Sequence, residues 1–334
     1  MFLWTLLLAC GPDRSAQLLA RDAPTESPDR PLTATGTPST SATARPRPDH
    51  EPTRVDTGLA DTGIASTDPP TTAACWWEPI TPHADLSDLQ PVSPHSARAT
   101  AFEAMRRRWP AGHDLLVDMS HDPYIDVFLD GSSWGAFSDS LLIVAHEETH
   151  GWDYEHALYP QRFDFFFTGS YAPGGPWYDD LPRAVIRPLI DDDATALYAD
   201  LYLTGTQGTY GFTELLDETA CYVNDLGAAV AFADGLPWQL SARDGAVTFL
   251  YYLAVYLDYA AQHEPALYAS WQSDPGIHAT VRDLWLRTHF FLDYADADPG
   301  LGVYDHQIKP LLYAEQPAIE AFLGYELQAS PCLP

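Results

Sequence analysis

Apolar residues recur at helical spacing in most of the second half of this chain and alternate in a few short runs before it. Helical composition marks Ala97 to Arg108, where Phe102 and Met105 share one face. The same periodicity predicts helices from about Ser138 to a stop at Gly151, over 194–203, from Thr213 to Leu226, and over 246–261, 281–291 and 316–323. Three short runs instead read as strands: Leu115 to Met119, the alternating Tyr124-Ile-Asp-Val-Phe-Leu129, and the aromatic Arg162 to Thr168. Strands near the start and helices afterwards predict an α+β domain, a small sheet followed by a mostly helical C-terminal half. The most apolar helix, 246–261, carries Asp258 and is too short to cross a bilayer.

Before residue 74 the periodicity disappears. Residues 11–73 are Pro, Thr, Ser, Ala and Asp with almost no aromatic content, which predicts a disordered tether. The first ten residues are different: Phe2-Leu-Trp-Thr-Leu-Leu-Leu-Ala-Cys10 is an apolar run far shorter than a membrane span. With Leu7-Leu8-Ala9-Cys10 as its lipobox, this start resembles a bacterial lipoprotein signal, although no Lys or Arg precedes the run. The resemblance implies lipidation of Cys10 and anchoring at the cell envelope of a bacterium, at the outer membrane or the surface. The expected organisation is a signal over 1–10, a tether over 11–73 and a folded domain over 74–334.

Composition sharpens this picture. Ten Trp, 18 Tyr and 46% hydrophobic residues suffice for a sizeable core. The net charge of −30 lies almost wholly on the folded part, since residues 11–73 hold nine acids against six bases, and Lys309 is the one lysine. Such a surface excludes nucleic acid and peripheral binding to anionic lipid, leaving the N-terminal lipid as the link to a membrane. In an exported chain Cys75 and Cys332, which open and nearly close the folded part, are the candidate disulfide, with Cys221 left over in a helix.

Chemistry concentrates in Leu141-Leu-Ile-Val-Ala-His146-Glu147-Glu148-Thr149-His150. On a helix His146 and His150 stand one turn apart on one face, so both imidazoles reach one ion. Glu147 is turned about 100° away from His146, a place for a carboxylate that takes a proton from water without ligating the metal. Apolar Leu141, Leu142, Val144 and Ala145 anchor this helix in a core, and Ser138 or Asp139 is suited to cap it.

In this His-Glu-x-x-His motif the chain resembles the zinc metallopeptidases called zincins, which implies one Zn²⁺, a third protein ligand and Glu147 as general base. Two residues compete for the third place. Glu218 lies on an apolar helix face with Leu215, Cys221 and Tyr222, where a buried carboxylate needs a compensating charge. Leu215-Leu-Asp-Glu218-x-x-x-Tyr222 is similar to the second helix of gluzincins, without the Asn-Glu signature of thermolysin-like enzymes. The stretch around it, from Tyr202 to Glu218, also resembles bacterial lipoproteins that carry the same motif. His156 is the alternative, because His146-Glu-x-x-His150-x-x-Asp153-x-x-His156 has the spacing of metzincins. Asp153 stands where that group has Gly, and no Met follows the motif to form its methionine turn. Such enzymes also need a donor for a developing oxyanion, for which Tyr154, Tyr210, Tyr222 and His289 are candidates. Asp153 and Asp225 are candidates to orient ligand imidazoles.

The sequence thus predicts a zincin-like, gluzincin-like hydrolase acting on a peptide or protein. The alternative is a non-catalytic surface module with a structural or vestigial metal site.

Overall fold

Helix follows helix in the computed structural model of the chain, which describes residues 75–167, 175–190, 192–237 and 240–327. The elements are α1 (Ala97–Arg108), α2 (Pro110–Asp118), α3 (Tyr124–Phe128), α4 (Trp134–His156), α5 (Asp192–Tyr202), α6 (Phe212–Phe232), α7 (Ala242–His263), α8 (Pro265–Ser273), α9 (Pro275–Ala295) and α10 (Asp305–Leu323). Short 3₁₀ turns join several of them. The described part is 70% helical and 2% strand, with no sheet. The α+β expectation is therefore wrong: among the described residues this is a mostly helical domain.

Each expected strand fails for its own reason. Leu115 to Asp118 closes α2, with Met119 as its C-cap; Pro110 starts that helix in the first helical position, where its missing N–H is no loss. Tyr124 to Phe128 forms a single helical turn whose start is fixed by Asp122, the Oδ1 of which accepts from Tyr124 N at 2.8 Å. Only Ile125 of that turn is buried, so the alternation never faced a core. Phe163, Phe165, Phe166 and Phe167 are buried and non-helical, but their backbone is satisfied elsewhere. Phe163 N donates to Gly175 O at 3.0 Å and Phe166 N to Asp153 Oδ1 at 2.7 Å. Leu158 and Arg162 form an isolated bridge rather than a strand pair.

Three helix ends also move. Helix α4 starts at Trp134, capped by Ser133, whose Oγ accepts from Ala136 N at 3.1 Å. Ser138 and Asp139 are buried inside it instead of capping it. Gly151 does not close it, because its backbone stays helical and the helix runs on to His156. Helix α6 starts after the extended Gly211, whose N donates to Glu214 Oε2 at 3.0 Å. The Oγ1 of the expected cap, Thr213, instead accepts from Tyr178 N at 2.8 Å.

Every residue of α6 is buried, and α4, α7 and α9 pack around it, with α10 along α7. Close approach on two sides uses glycine. A Cβ at Gly227 would stand 2.8 Å from both Trp109 and Phe291, and one at Gly245 of α7 only 2.3 Å from the Tyr222 ring. Each large apolar side chain so enclosed contributes about 1.5–3 kcal/mol, which is what holds two polar, ligand-bearing helices face to face. No described helix is long and apolar enough to cross a membrane.

Cys75 is disulfide-bonded and Cys221 is free and buried. Cys332, Cys10 with its lipobox, and the tether over 11–73 lie outside the described residues.

Candidate metal centre

Helix α4 is buried without interruption from Phe137 to Thr149, so the motif sits in the core rather than at a rim. It runs antiparallel to α6: His150 meets Asp217, while Asp139, three turns earlier, meets Asp225. This places the carboxylate of Glu218 between the two imidazoles. Glu218 Oε2 lies 3.6 Å from Nε2 of His150 and 3.9 Å from Nε2 of His146. Ligand atoms at about 2.1 Å on tetrahedral axes stand about 3.4 Å apart, close to both separations. Glu218 Oε2 is buried and has no hydrogen-bond partner. A buried carboxylate oxygen left so is costly, and a cation between it and the imidazoles removes the cost.

The tautomer needed for ligation is set by a residue that sequence reasoning passed over. Asp217 Oδ2 lies 2.7 Å from His150 Nδ1. A carboxylate only accepts, so Nδ1 carries the proton and Nε2 keeps its lone pair for the site. Behind Asp217 stands Asp153, whose Oδ1 accepts from Phe166 N. Burial, and then the charge of Asp217, hold Asp153 well above the ordinary carboxylate range. Burial pulls His150 down, but Asp217, Cys221 and Glu218 outweigh it and raise its pKa. Burial would raise Glu218, yet His150 first, then Arg183 and His146, bring it below its ordinary value.

A second ligand set shares the imidazoles. His146, His150 and Cys221 offer ligand atoms within 4.8 Å of one another, a group that could hold a metal ion. Cys221 Sγ also lies 4.0 Å from Asp217 Oδ1. Both sets use the same two imidazoles: Glu218 Oε2 faces their Nε2 atoms, and Cys221 lies beside Asp217. Burial raises the Cys221 thiol well above its ordinary value in the metal-free chain.

The remaining candidates disperse. Glu147 is buried beside His146. Tyr222 sets its ring edge-on to His146, centroids 4.8 Å apart, and its hydroxyl lies 2.9 Å from that of Tyr202. Tyr154 is half-buried; desolvation, and then the charges of Asp217 and Glu214, raise its pKa. Tyr210 faces Arg183 instead, with the guanidinium 5.4 Å from its ring. His156 stacks on Trp152 at 3.9 Å and bonds Trp152 O through Nδ1, away from the other imidazoles. His289 stacks on Trp285 and bonds Trp285 O, among residues of α9 and α10 that the centre does not use. Asp225 does not orient a ligand imidazole; it faces Asp139, and burial and that charge push it up to about 8.

Access comes from one side. His146 is fully enclosed, whereas 14% of the His150 side chain and 7% of the Glu218 side chain reach the surface. Arg183 is fully buried nearby, its Nε on Gln207 O and its Nη1 without a partner. No protein-family model, curated protein or solved structure matches this chain.

Proposed function

We propose that the chain is a zinc-dependent hydrolase, a metallopeptidase carried at the bacterial cell envelope by its lipobox-like start. His146, His150 and Glu218 would hold the metal and Glu147 would act as general base. One observation carries the reading: a buried, unpartnered carboxylate oxygen facing the Nε2 atoms of both motif histidines at 3.6 and 3.9 Å.

Two neutral imidazoles and one carboxylate leave a divalent ion with net positive charge, which supplies Lewis acidity and brings the pKa of a water towards neutrality. The protein's own part is positional. Asp217 keeps the proton of His150 on Nδ1, so Nε2 stays a ligand. Glu147, fixed on the rigid α4 core, takes the proton of the attacking water and passes it to the leaving amine. Tyr222, held against His146 and hydrogen-bonded to Tyr202, is the best-placed of the proposed oxyanion donors. The exposed edges of His150 and Glu218 give the substrate its way in.

The test is elemental analysis of the purified chain beside Glu218→Ala and Glu147→Gln, with a peptide-library assay. The reading expects one zinc in the wild type, most of it lost from a folded Glu218→Ala. In Glu147→Gln it expects full zinc with hydrolysis down by about 10²–10⁴. A wild type without metal after zinc is supplied, or equal activity in Glu147→Gln, would sink it.

Cys221 favours a second reading, since a fourth protein ligand would close the site and make it structural. Cobalt-substituted protein separates the two. A thiolate-to-cobalt charge-transfer band that Cys221→Ser abolishes supports the non-catalytic module; its absence supports the hydrolase.

A further inference from the structure

Thr149 lies between the two histidines of α4 but points into a different part of the core. Its Oγ1 donates to Ala145 O at 2.6 Å and accepts from Asn224 Nδ2 of α6 at 2.7 Å. Asn224 Oδ1 accepts from Nη1 of Arg287 in α9 at 2.6 Å. The same guanidinium grips Glu78, Nε to Oε2 at 2.7 Å and Nη2 to Oε1 at 3.3 Å. Glu78 also accepts from the indole N–H of Trp76 at 2.9 Å and of Trp109 at 2.7 Å. The side chains of Glu78 and Arg287 are fully enclosed, and Asn224 and Thr149 are fully buried.

Each group in this row has one role open to it. Arginine only donates, so Asn224 must turn its oxygen to Arg287 and its amide N–H to α4. Thr149 has already spent its proton on Ala145 O, so it can only accept from Asn224. An amide turned the other way would set a donor against the guanidinium in a place without water, a costly mismatch. The row therefore fixes one height of α4 against α6. That height decides whether Glu218 meets the imidazoles. A slip of one residue along a helix moves a side chain by about 1.5 Å, whereas metal–ligand distances tolerate about 0.2 Å.

We propose that Glu78, Arg287, Asn224 and Thr149 form a positioning relay for the metal centre. Through it, metal affinity depends on the seating of the Trp76–Glu78 segment at the start of the folded part. The proposal rests on the metal reading given above. It makes Thr149, Asn224 and Glu78 positioning residues, none of which touches the ion or a substrate.

The experiment uses the full chain and five proteins: wild type, Glu78→Gln, Asn224→Asp, Thr149→Ser and Phe322→Leu. Phe322 lies buried in α10 and serves as a packing control. Asn224→Asp keeps the acceptor for Arg287 but removes the donor to Thr149, and Thr149→Ser keeps the hydroxyl. Zinc affinity is measured by chelator competition, thermal stability and amide hydrogen exchange on the metal-free proteins. Loss of an outer partner of a metal ligand set costs about tenfold to a hundredfold in affinity. That loss is expected in Glu78→Gln and Asn224→Asp. Thr149→Ser should stay within about twofold of wild type, and Phe322→Leu should keep its affinity despite a lower Tm.

Affinity that merely follows Tm across all variants, the control included, would overturn the relay and leave a buried ion pair with a structural role. So would unchanged affinity in Asn224→Asp. A wild type that takes no zinc removes the metal reading, and exchange then judges the relay alone. Faster exchange of the 145–150 amides in Glu78→Gln, with α10 unaffected, keeps it as the device that sets α4 against α6. Uniform exchange ends it.

Discussion

His150 is bound by two opposing demands. Asp217, Cys221 and Glu218 raise its pKa in the metal-free chain, while ligation needs its Nε2 bare. Proton and metal therefore compete for one nitrogen. Below the raised pKa, zinc affinity should climb about tenfold per pH unit and level off above it. The same shift acts on stability with the opposite slope. A histidine whose folded pKa exceeds its unfolded value stabilises the fold fully below the unfolded value of 6.5, and that contribution disappears as pH rises through the folded pKa. Zinc titration and denaturation of the metal-free protein from about pH 6 to 9 test both slopes. Asp217→Asn should flatten each, and an unchanged profile in that variant would remove Asp217 from the account. The motif made His146, Glu147 and His150 readable from spacing. Asp217 was not readable, because which of two adjacent acids faces the imidazole depends on how α6 is rotated about its axis.

Between elements, the contact of α4 with α6 holds a pair of acids that the metal centre does not use. Asp139 and Asp225 are both buried, and the Oδ1 of each lacks a hydrogen-bond partner. Burial, then a neighbouring carboxylate, pushes Asp139 up to about 7 and Asp225 up to about 8. Both folded values exceed the ordinary 3.8, so the folded chain binds more protons than the unfolded one across that interval. The pair thus lowers stability progressively as pH rises from about 4 to about 8, with no further loss above. Asp225→Asn should therefore stabilise the protein at pH 8 by on the order of 2 kcal/mol, less than the full shift implies because the buried amide also lacks a hydrogen-bond partner. Near pH 3 it should change little. Urea denaturation at the two pH values decides, and an equal gain at both would mean that charge is not the cause.

The helices were the legible part of the sequence, since periods of 3.6 persist over long stretches such as Ala97 to Arg108 and 246–261. The strands were misread because five apolar residues fit either period. Leu115 and Leu116 are buried on a helix as well as they would be on a sheet, and the deciding signals were Pro110 and Asp122, local starts outside the runs. The aromatic run 163–167 is irregular, and hydrogen bonds to a loop and to Asp153 stand in place of a ladder. Pairing partners are the non-local information that a single sequence carries least well.

At the scale of the whole molecule, the burial of the proposed centre has a kinetic meaning. His146 has no exposed surface, and an ion at the proposed centre would come and go past the edge of His150. A chelator at that edge reaches His150 and Glu218 but not His146, so full release waits for α4 to part from α6. Zinc loss into excess EDTA should then be first order and independent of chelator concentration, and the relay variants should speed it. A rate proportional to EDTA would mean an open site. If release is gated in this way, the metal found after purification is a memory of what was loaded when the chain folded, and says little about how tightly the site binds at equilibrium.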